Sequence, residues 1–297
     1  MTVEMITAAA SGTWRLGDRT VNRIGFGTMR LPQYGAAFAP GAAPRDRGEA
    51  IGVLRRAVEL GVNHIDTAAF YFSSLRSANE LIGSALAPYA DDLVIATKVG
   101  PARDTWGNWT AHATAAQLRG QVEENLRQLG RDHLDVVNLR IVGTDSIAER
   151  FGALAELREA GLIRHLGLSN VRAHHIPEAQ AIAPVVCVQN MYGLGASPEQ
   201  EEVLRLCGEQ GIAFVPFYAI AGQGREAGAA GVGDESGVEA VARRLGASPA
   251  QVRLAWTLHR GPHVLAIPGT GDLGHLAENV AAGALRLSEE DLAALER

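Results

Sequence analysis

Apolar and polar positions divide the chain into two kinds of segment that alternate. Short, mostly apolar runs occur at 25–28, 62–65, 93–97, 134–139, 165–168, 185–188, 213–216 and 264–267. Their length and composition predict buried strands. Between them lie longer stretches that predict helices starting near Arg47, Ala78, Ala115, Ser146, Arg172, Pro198, Val238 and Leu273. The stretch from Gln117 to Leu129 carries Leu118, Val122, Leu126 and Leu129 at helical spacing. Ser288 followed by Glu289, Glu290 and Asp291 predicts the start of a last helix, with acids in its first turn. Such alternation predicts a parallel α/β fold. Upstream, 14–16 and 20–22 flank Gly17-Asp18 as a hairpin does. No linker is visible, so 12–297 reads as a single domain and 1–11 as a flexible tail. The Gly-rich stretch from Gly222 to Gly237 reads as a mobile loop after the seventh strand.

Composition narrows the picture. A length of 297 residues with 47% hydrophobic residues suffices for one large α/β barrel. A net charge of −6 and a pI near 5.9 argue against a nucleic-acid partner. No apolar run reaches the ~20 residues of a membrane span, and the N-terminus lacks the pattern of a signal peptide, so a cytoplasmic protein with no membrane partner is expected. Cys187 and Cys207 lie in apolar contexts and read as buried free thiols. No histidine has metal-ligand spacing, and no metal site is expected.

The candidate chemistry sits where two of these strands end. The second strand runs into Asp66-Thr67-Ala68-Ala69-Phe70-Tyr71, and the third is closed by Lys98. In a parallel barrel these ends form the catalytic face. A phenol titrates near ~10, and a nearby ammonium stabilises the phenolate and lowers that value. A buried ammonium in turn calls for a carboxylate. Asp66, Tyr71 and Lys98 fit a proton-donor design; a surface tyrosine beside an unrelated Asp–Lys ion pair fits the spacing equally.

The pattern D-T-A-x-x-Y with a later strand-closing Lys resembles the aldo-keto reductase superfamily. The resemblance extends over nearly the whole chain. It includes Gly25-Phe26-Gly27-Thr28-Met29, Asn79-Glu80 with Gly83, Gly167-Leu168-Ser169-Asn170, Gln189-Asn190, Ile267-Pro268-Gly269-Thr270 and Glu278-Asn279, in the family's order. It implies a (β/α)8 TIM barrel with a β-hairpin across its bottom. Asp66, Tyr71 and Lys98 would be catalytic. One departure stands out. Arg140 closes the run Leu134-Asp135-Val136-Val137-Asn138-Leu139 where a catalytic His is common. Arg stays charged and cannot act as a base, but it can stabilise an oxyanion. Either Arg140 replaces the His as a clamp, or it marks other chemistry, or it only neutralises an acid. A bacterial branch that includes pyridoxal reductases is similar in this run and carries Arg there. Phe72 is a second departure, where many relatives have Gly after the Tyr.

No G-x-G-x-x-G follows the first strand, so a Rossmann site is not indicated. The resemblance implies a nicotinamide cofactor, NADPH first and NADH as alternative. Gly27, Thr28, Met29 and Asp66 would line its site. Ser169, Asn170 and Gln189 would bind the carboxamide, with Phe217 stacked on the ring. Tyr218, Ala219 and Ile220 would follow the pyrophosphate. Ile267, Gly269, Thr270, His275, Glu278 and Asn279 would hold the adenosine half. NADPH-preferring relatives often place Lys or Arg near Gly269 and at the position of His275, and segment 269–275 has neither. Helix-terminal amides near Leu273 or a protonated His275 could bind phosphate, and Asp272 would repel it. Arg30, Phe72, Trp106, Trp109 and Tyr192 are candidates for the substrate pocket. The two Trp suggest a flat substrate, or serve as packing anchors. The expected activity is NAD(P)H-dependent reduction of an aldehyde or ketone, pyridoxal-like or a cyclic ketone. A non-reductive isomerase, dehydratase or cyclase and a nucleotide-sensing subunit are the alternatives. A monomer or weak homo-oligomer acting on a small carbonyl compound is expected.

Overall fold

The computed structural model describes residues 6–39, 41–220 and 236–296. A hairpin of β1 (Thr13–Leu16) and β2 (Arg19–Asn22) precedes the barrel. Seven parallel strands then pair in sequence order: β3 (Phe26–Gly27), β4 (His64–Asp66), β5 (Val94–Val99), β6 (Leu134–Arg140), β7 (Ile163–Ser169), β8 (Val185–Gln189) and β9 (Ala213–Phe214). The eighth stave, expected at 264–267, is not a regular strand. It closes the barrel through single bridges, Phe214 to Val264 on one side and Ile24 to Ala266 on the other. Close approach explains the irregularity: a Cβ on Gly27 would lie 2.7 Å from the Ile267 carbonyl oxygen, and one on Gly269 would lie 2.5 Å from that of Gly27. The fold is a (β/α)8 barrel.

The helices follow their strands: α1 (Arg47–Glu59), α2 (Ala78–Leu86), α3 (Ala115–Leu129), α4 (Ala148–Glu159), α5 (His175–Gln180), α6 (Pro198–Glu209), α7 (Ser236–Leu245), α8 (Pro249–His259), α9 (Leu273–Ala281) and α10 (Glu289–Leu295). Local chemistry sets their ends. Asp46 caps α1 by accepting the Glu49 amide at 2.9 Å, and Ala50, Val53, Leu54 and Ala57 bury its inner face. Ser248 and Gln251 form a capping box on α8, with Pro249 at its first turn. Helix α8 is not among the expected helices: a single start near Val238 is expected in this stretch, and Gly246 with the Ser248 cap divides it in two. The Gly-rich stretch expected to be a loop lies outside the described residues except for Ser236 and Gly237, which begin α7.

Side-chain alternation along the strands separates two cores. One face meets the helices, as Ile95, Val137, Leu139, Leu166, Leu168 and Val188 do. The other fills the barrel with Val94, Ala96, Val136, Cys187, Ala213 and Leu265, closed below by Leu16 and Val21 of the hairpin. Asp66, Lys98, Arg140 and Gln189 continue the inward-facing register at the C-terminal ends of their strands. The expectation of a tail over 1–11 fails for 8–11. These residues form a 3-10 turn with Ala8 and Ser11 buried, because Ser11 Oγ accepts the Ile24 amide at 3.0 Å. No helix among the described residues is long and apolar enough to cross a membrane.

Candidate active site

Lys98 and Asp66 meet at the top of the barrel. Lys98 Nζ lies 2.5 Å from Asp66 Oδ1, and both side chains are almost wholly buried. The ammonium also donates to the Thr67 carbonyl at 3.0 Å. Gln189 Nε2 donates to the other carboxylate oxygen at 2.7 Å. Burial alone would lower the Lys98 pKa, but Asp66 and Tyr71 outweigh it and hold it above its ordinary value. The ammonium is 4.9 Å from the centre of the Tyr71 ring. A buried polar chain backs this pair against the helices. Thr28 Oγ1 contacts Thr67 Oγ1 at 3.0 Å, Thr67 reaches Asn79 at 2.8 Å, Asn79 reaches Asn125 at 3.0 Å, and Thr97 donates to Asn125 at 2.6 Å.

Tyr71 departs from the sequence expectation in one respect. Burial raises its pKa and prevails, although Lys98 and Arg140 pull it down; Asp66 pushes it further up. The phenol therefore keeps its proton at neutral pH. Phe70 stands edge-on to it at 5.1 Å and Phe38 lies 5.7 Å away.

Arg140 Nη1 donates to Ser169 Oγ at 3.3 Å, and the guanidinium lies 5.1 Å from the centre of the Phe217 ring. Gly100 makes room for the end of this strand: a Cβ there would lie 2.4 Å from the Arg140 carbonyl oxygen. A cavity of about 230 Å³ unites Asp66, Tyr71, Lys98, Arg140 and Gln189. Gly27, Met29, Arg30, Phe217, Tyr218, Ile267, Gly269 and Trp109 complete it, with Phe38 and Phe70 as walls that the sequence reading missed. A groove of about 1390 Å³ shares Arg30 and Gly269 with it and holds Ile220, Thr270, His275, Glu278 and Asn279.

Several expected site residues lie elsewhere. Thr28 is fully buried and bonded to Thr67, so it supports the site from behind. Asn170 turns its amide to the Ile141 carbonyl at 2.9 Å and lines a separate groove. Ala219 packs against the barrel's outer core. Phe72 lies under the Arg103 guanidinium at 4.6 Å and lines the neighbouring pocket beside α3. Trp106 is 80% exposed, because Asp104 Oδ1 accepts the Trp106 and Asn108 amides and turns the loop tip outward. Tyr192 faces the helices: it stacks on Trp256 at 5.8 Å, donates to Glu201 at 2.8 Å and accepts from Arg260 at 2.9 Å. An aromatic after a strand end signals neither face without the course of its loop.

The site also bears on a nicotinamide cofactor. Gln189 Oε1 is buried with no hydrogen-bond partner, while its Nε2 is committed to Asp66. A carboxamide N–H is the kind of donor such an oxygen lacks. Phe217 and Tyr218 beside it offer aromatic faces. The residues fit that group.

A buried Lys–Asp pair stands against a tyrosine at the C-terminal mouth of a parallel barrel, the end at which barrels of this architecture carry their active sites. A model described as the aldo/keto reductase family matches residues 23–297. The pyridoxine 4-dehydrogenase of Escherichia coli (strain K12) is 44% identical over 294 residues, spanning 97% of this chain and 98% of that protein. An uncharacterised oxidoreductase of Schizosaccharomyces pombe is 38% identical over 294 residues, spanning 98% of this chain and 91% of its own. The crystal structure of an aldo/keto reductase from Klebsiella pneumoniae in complex with NADP and acetate matches with a TM-score of 0.77 at 29% identity, over 96% of this chain and 94% of that one. The chain belongs to the aldo/keto reductase family.

Proposed function

We propose that the protein is an NADPH-dependent reductase of a small aromatic aldehyde of the pyridoxal class. The observation that carries this reading is the buried Lys98–Asp66 pair against Tyr71 on the floor of an aromatic cavity. The NADP-bound Klebsiella structure and the name of the E. coli relative support the cofactor and the substrate class.

Bound NADPH supplies the hydride. Tyr71 delivers the proton to the carbonyl oxygen, and its raised pKa keeps that proton in place until charge develops on the substrate. Lys98 then stabilises the phenolate, and Asp66 keeps Lys98 charged inside the barrel. Arg140 donates to the same oxygen as it becomes negative. It takes this role as a fixed cation, without exchanging a proton. Gln189 holds Asp66 in register and offers its free oxygen to the carboxamide. Phe38, Phe70 and Trp109 exclude water from the reacting atoms and favour a flat ring.

The test is a fluorescence titration with NADPH and NADH, followed by single-turnover mixing with a panel of aldehydes that includes pyridoxal. Stoichiometric oxidation of NADPH with pyridoxal is the expected result. Tight binding without oxidation across the panel refutes the reductase reading.

A further inference from the structure

The adenosine end of the groove poses a charge problem. Segment 269–275 carries no Lys or Arg. The start of α9 is also taken: Asp272 Oδ1 accepts the His275 amide at 2.8 Å. A carboxylate therefore stands where helix amides would otherwise meet a phosphate. Glu49 and Glu278 line the same groove.

One cation is built into this end from a distant part of the chain. Arg45 lies in the segment between β3 and α1. Its Nη1 donates to the Gly271 carbonyl at 3.1 Å and its Nε to the Arg30 carbonyl at 3.4 Å. The guanidinium lies 4.3 Å from the centre of the Tyr34 ring. A Cβ on residue 271 would lie 2.1 Å from Arg45 Cζ, so only glycine admits the guanidinium in this position. Two carbonyls and a ring fix the plane of the group before any ligand arrives. Glu49 Oε2 is 3.9 Å away and largely exposed, so its hold on Arg45 is weak. Arg253 of α8 lines the groove as well.

We propose that Arg45 recognises the 2′-phosphate of the adenosine ribose and so selects NADPH over NADH, an inference that rests on the reductase reading above. Arg45 would supply the charge-assisted hydrogen bonds that segment 269–275 lacks. Without it, an incoming phosphate meets Asp272, Glu49 and Glu278 with less to offset them.

Equilibrium titrations test this without turnover. NADPH, NADH, 2′,5′-ADP and 5′-AMP would be titrated into the wild type and into Arg45→Met, which keeps the aliphatic stem. Loss of one charge-assisted contact to phosphate predicts about 10- to 100-fold weaker binding of NADPH and 2′,5′-ADP. NADH and 5′-AMP should stay within about threefold, since neither carries that phosphate. Arg45→Lys should fall between. Asp272→Asn provides a second arm that leaves Arg45 in place: it should tighten NADPH severalfold and leave NADH unchanged. Equal weakening of all four ligands in Arg45→Met would make Arg45 a structural clasp only and overturn the assignment, as would no change in any of them. A wild type that binds NADPH tightly while Arg45→Met and Asp272→Asn leave selectivity intact refutes this inference alone. A wild type that binds neither dinucleotide refutes the reductase reading and the inference together.

Discussion

Asp66→Asn isolates the buried charge pair on which the proposed chemistry depends. The substitution keeps shape and removes one charge. Lys98 Nζ and Asp66 Oδ1 are 2.5 Å apart and excluded from solvent. At an effective dielectric of ~20, unit charges at that separation attract by about 6–7 kcal/mol. Desolvation of both groups offsets much of that attraction, but breaking such a pair from one side still costs about 3–5 kcal/mol, because the partner is left buried and uncompensated. The loss should appear in chemical unfolding at pH 7. Its pH dependence carries a signature. In the wild type the Lys98 pKa is raised above 10.5, so its stabilisation is present below 10.5 and is lost as pH rises through the folded value. Without Asp66, burial dominates and the folded pKa falls below 10.5. The unfolded chain then binds more protons in that window, so the deficit shrinks as pH rises from 7 to 10. Asp66→Asn combined with Lys98→Met should recover part of the stability lost in the single variant. A single variant within about 1 kcal/mol of wild type at pH 7, or one whose deficit grows with pH, would show that the pair does not work in this way.

Tyr71→Phe should lower single-turnover reduction by about 100-fold or more while NADPH affinity stays within severalfold; near-normal turnover would remove Tyr71 as the acid. Arg140→Ala should lower kcat by about 100- to 1000-fold, the effect of removing one oxyanion donor, with Arg140→His retaining more activity. Equal rates in the two Arg140 variants would end the clamp reading. Gly27→Ala places a methyl 2.7 Å from the Ile267 carbonyl oxygen, so it should destabilise by about 1–3 kcal/mol as overpacking does. A thermal melt unchanged from wild type would show that the barrel seam can relax.

The order of the strands, and of the helices apart from α8, was legible in the sequence because each is a local pattern. Apolar runs of strand length and helical spacing such as Leu118, Val122 and Leu129 need no tertiary information to be read. The placement of Asp66, Tyr71, Lys98 and Arg140 at one mouth of the barrel was legible for the same reason: a residue that closes or follows a parallel strand must lie at one end of the barrel. The irregularity of the eighth stave was not, since it comes from the close approach of Gly27 to the Ile267 carbonyl oxygen across the seam. Nor were the faces of Phe72, Trp106 and Tyr192, which depend on Arg103, on the Asp104 turn and on the Trp256 stack. Only the folded chain brings Arg45 to Gly271, two positions separated by 226 residues and joined by one hydrogen bond. Periodicity records which side of an element is buried; charge pairing between distant loops is decided by packing, and no local pattern encodes it.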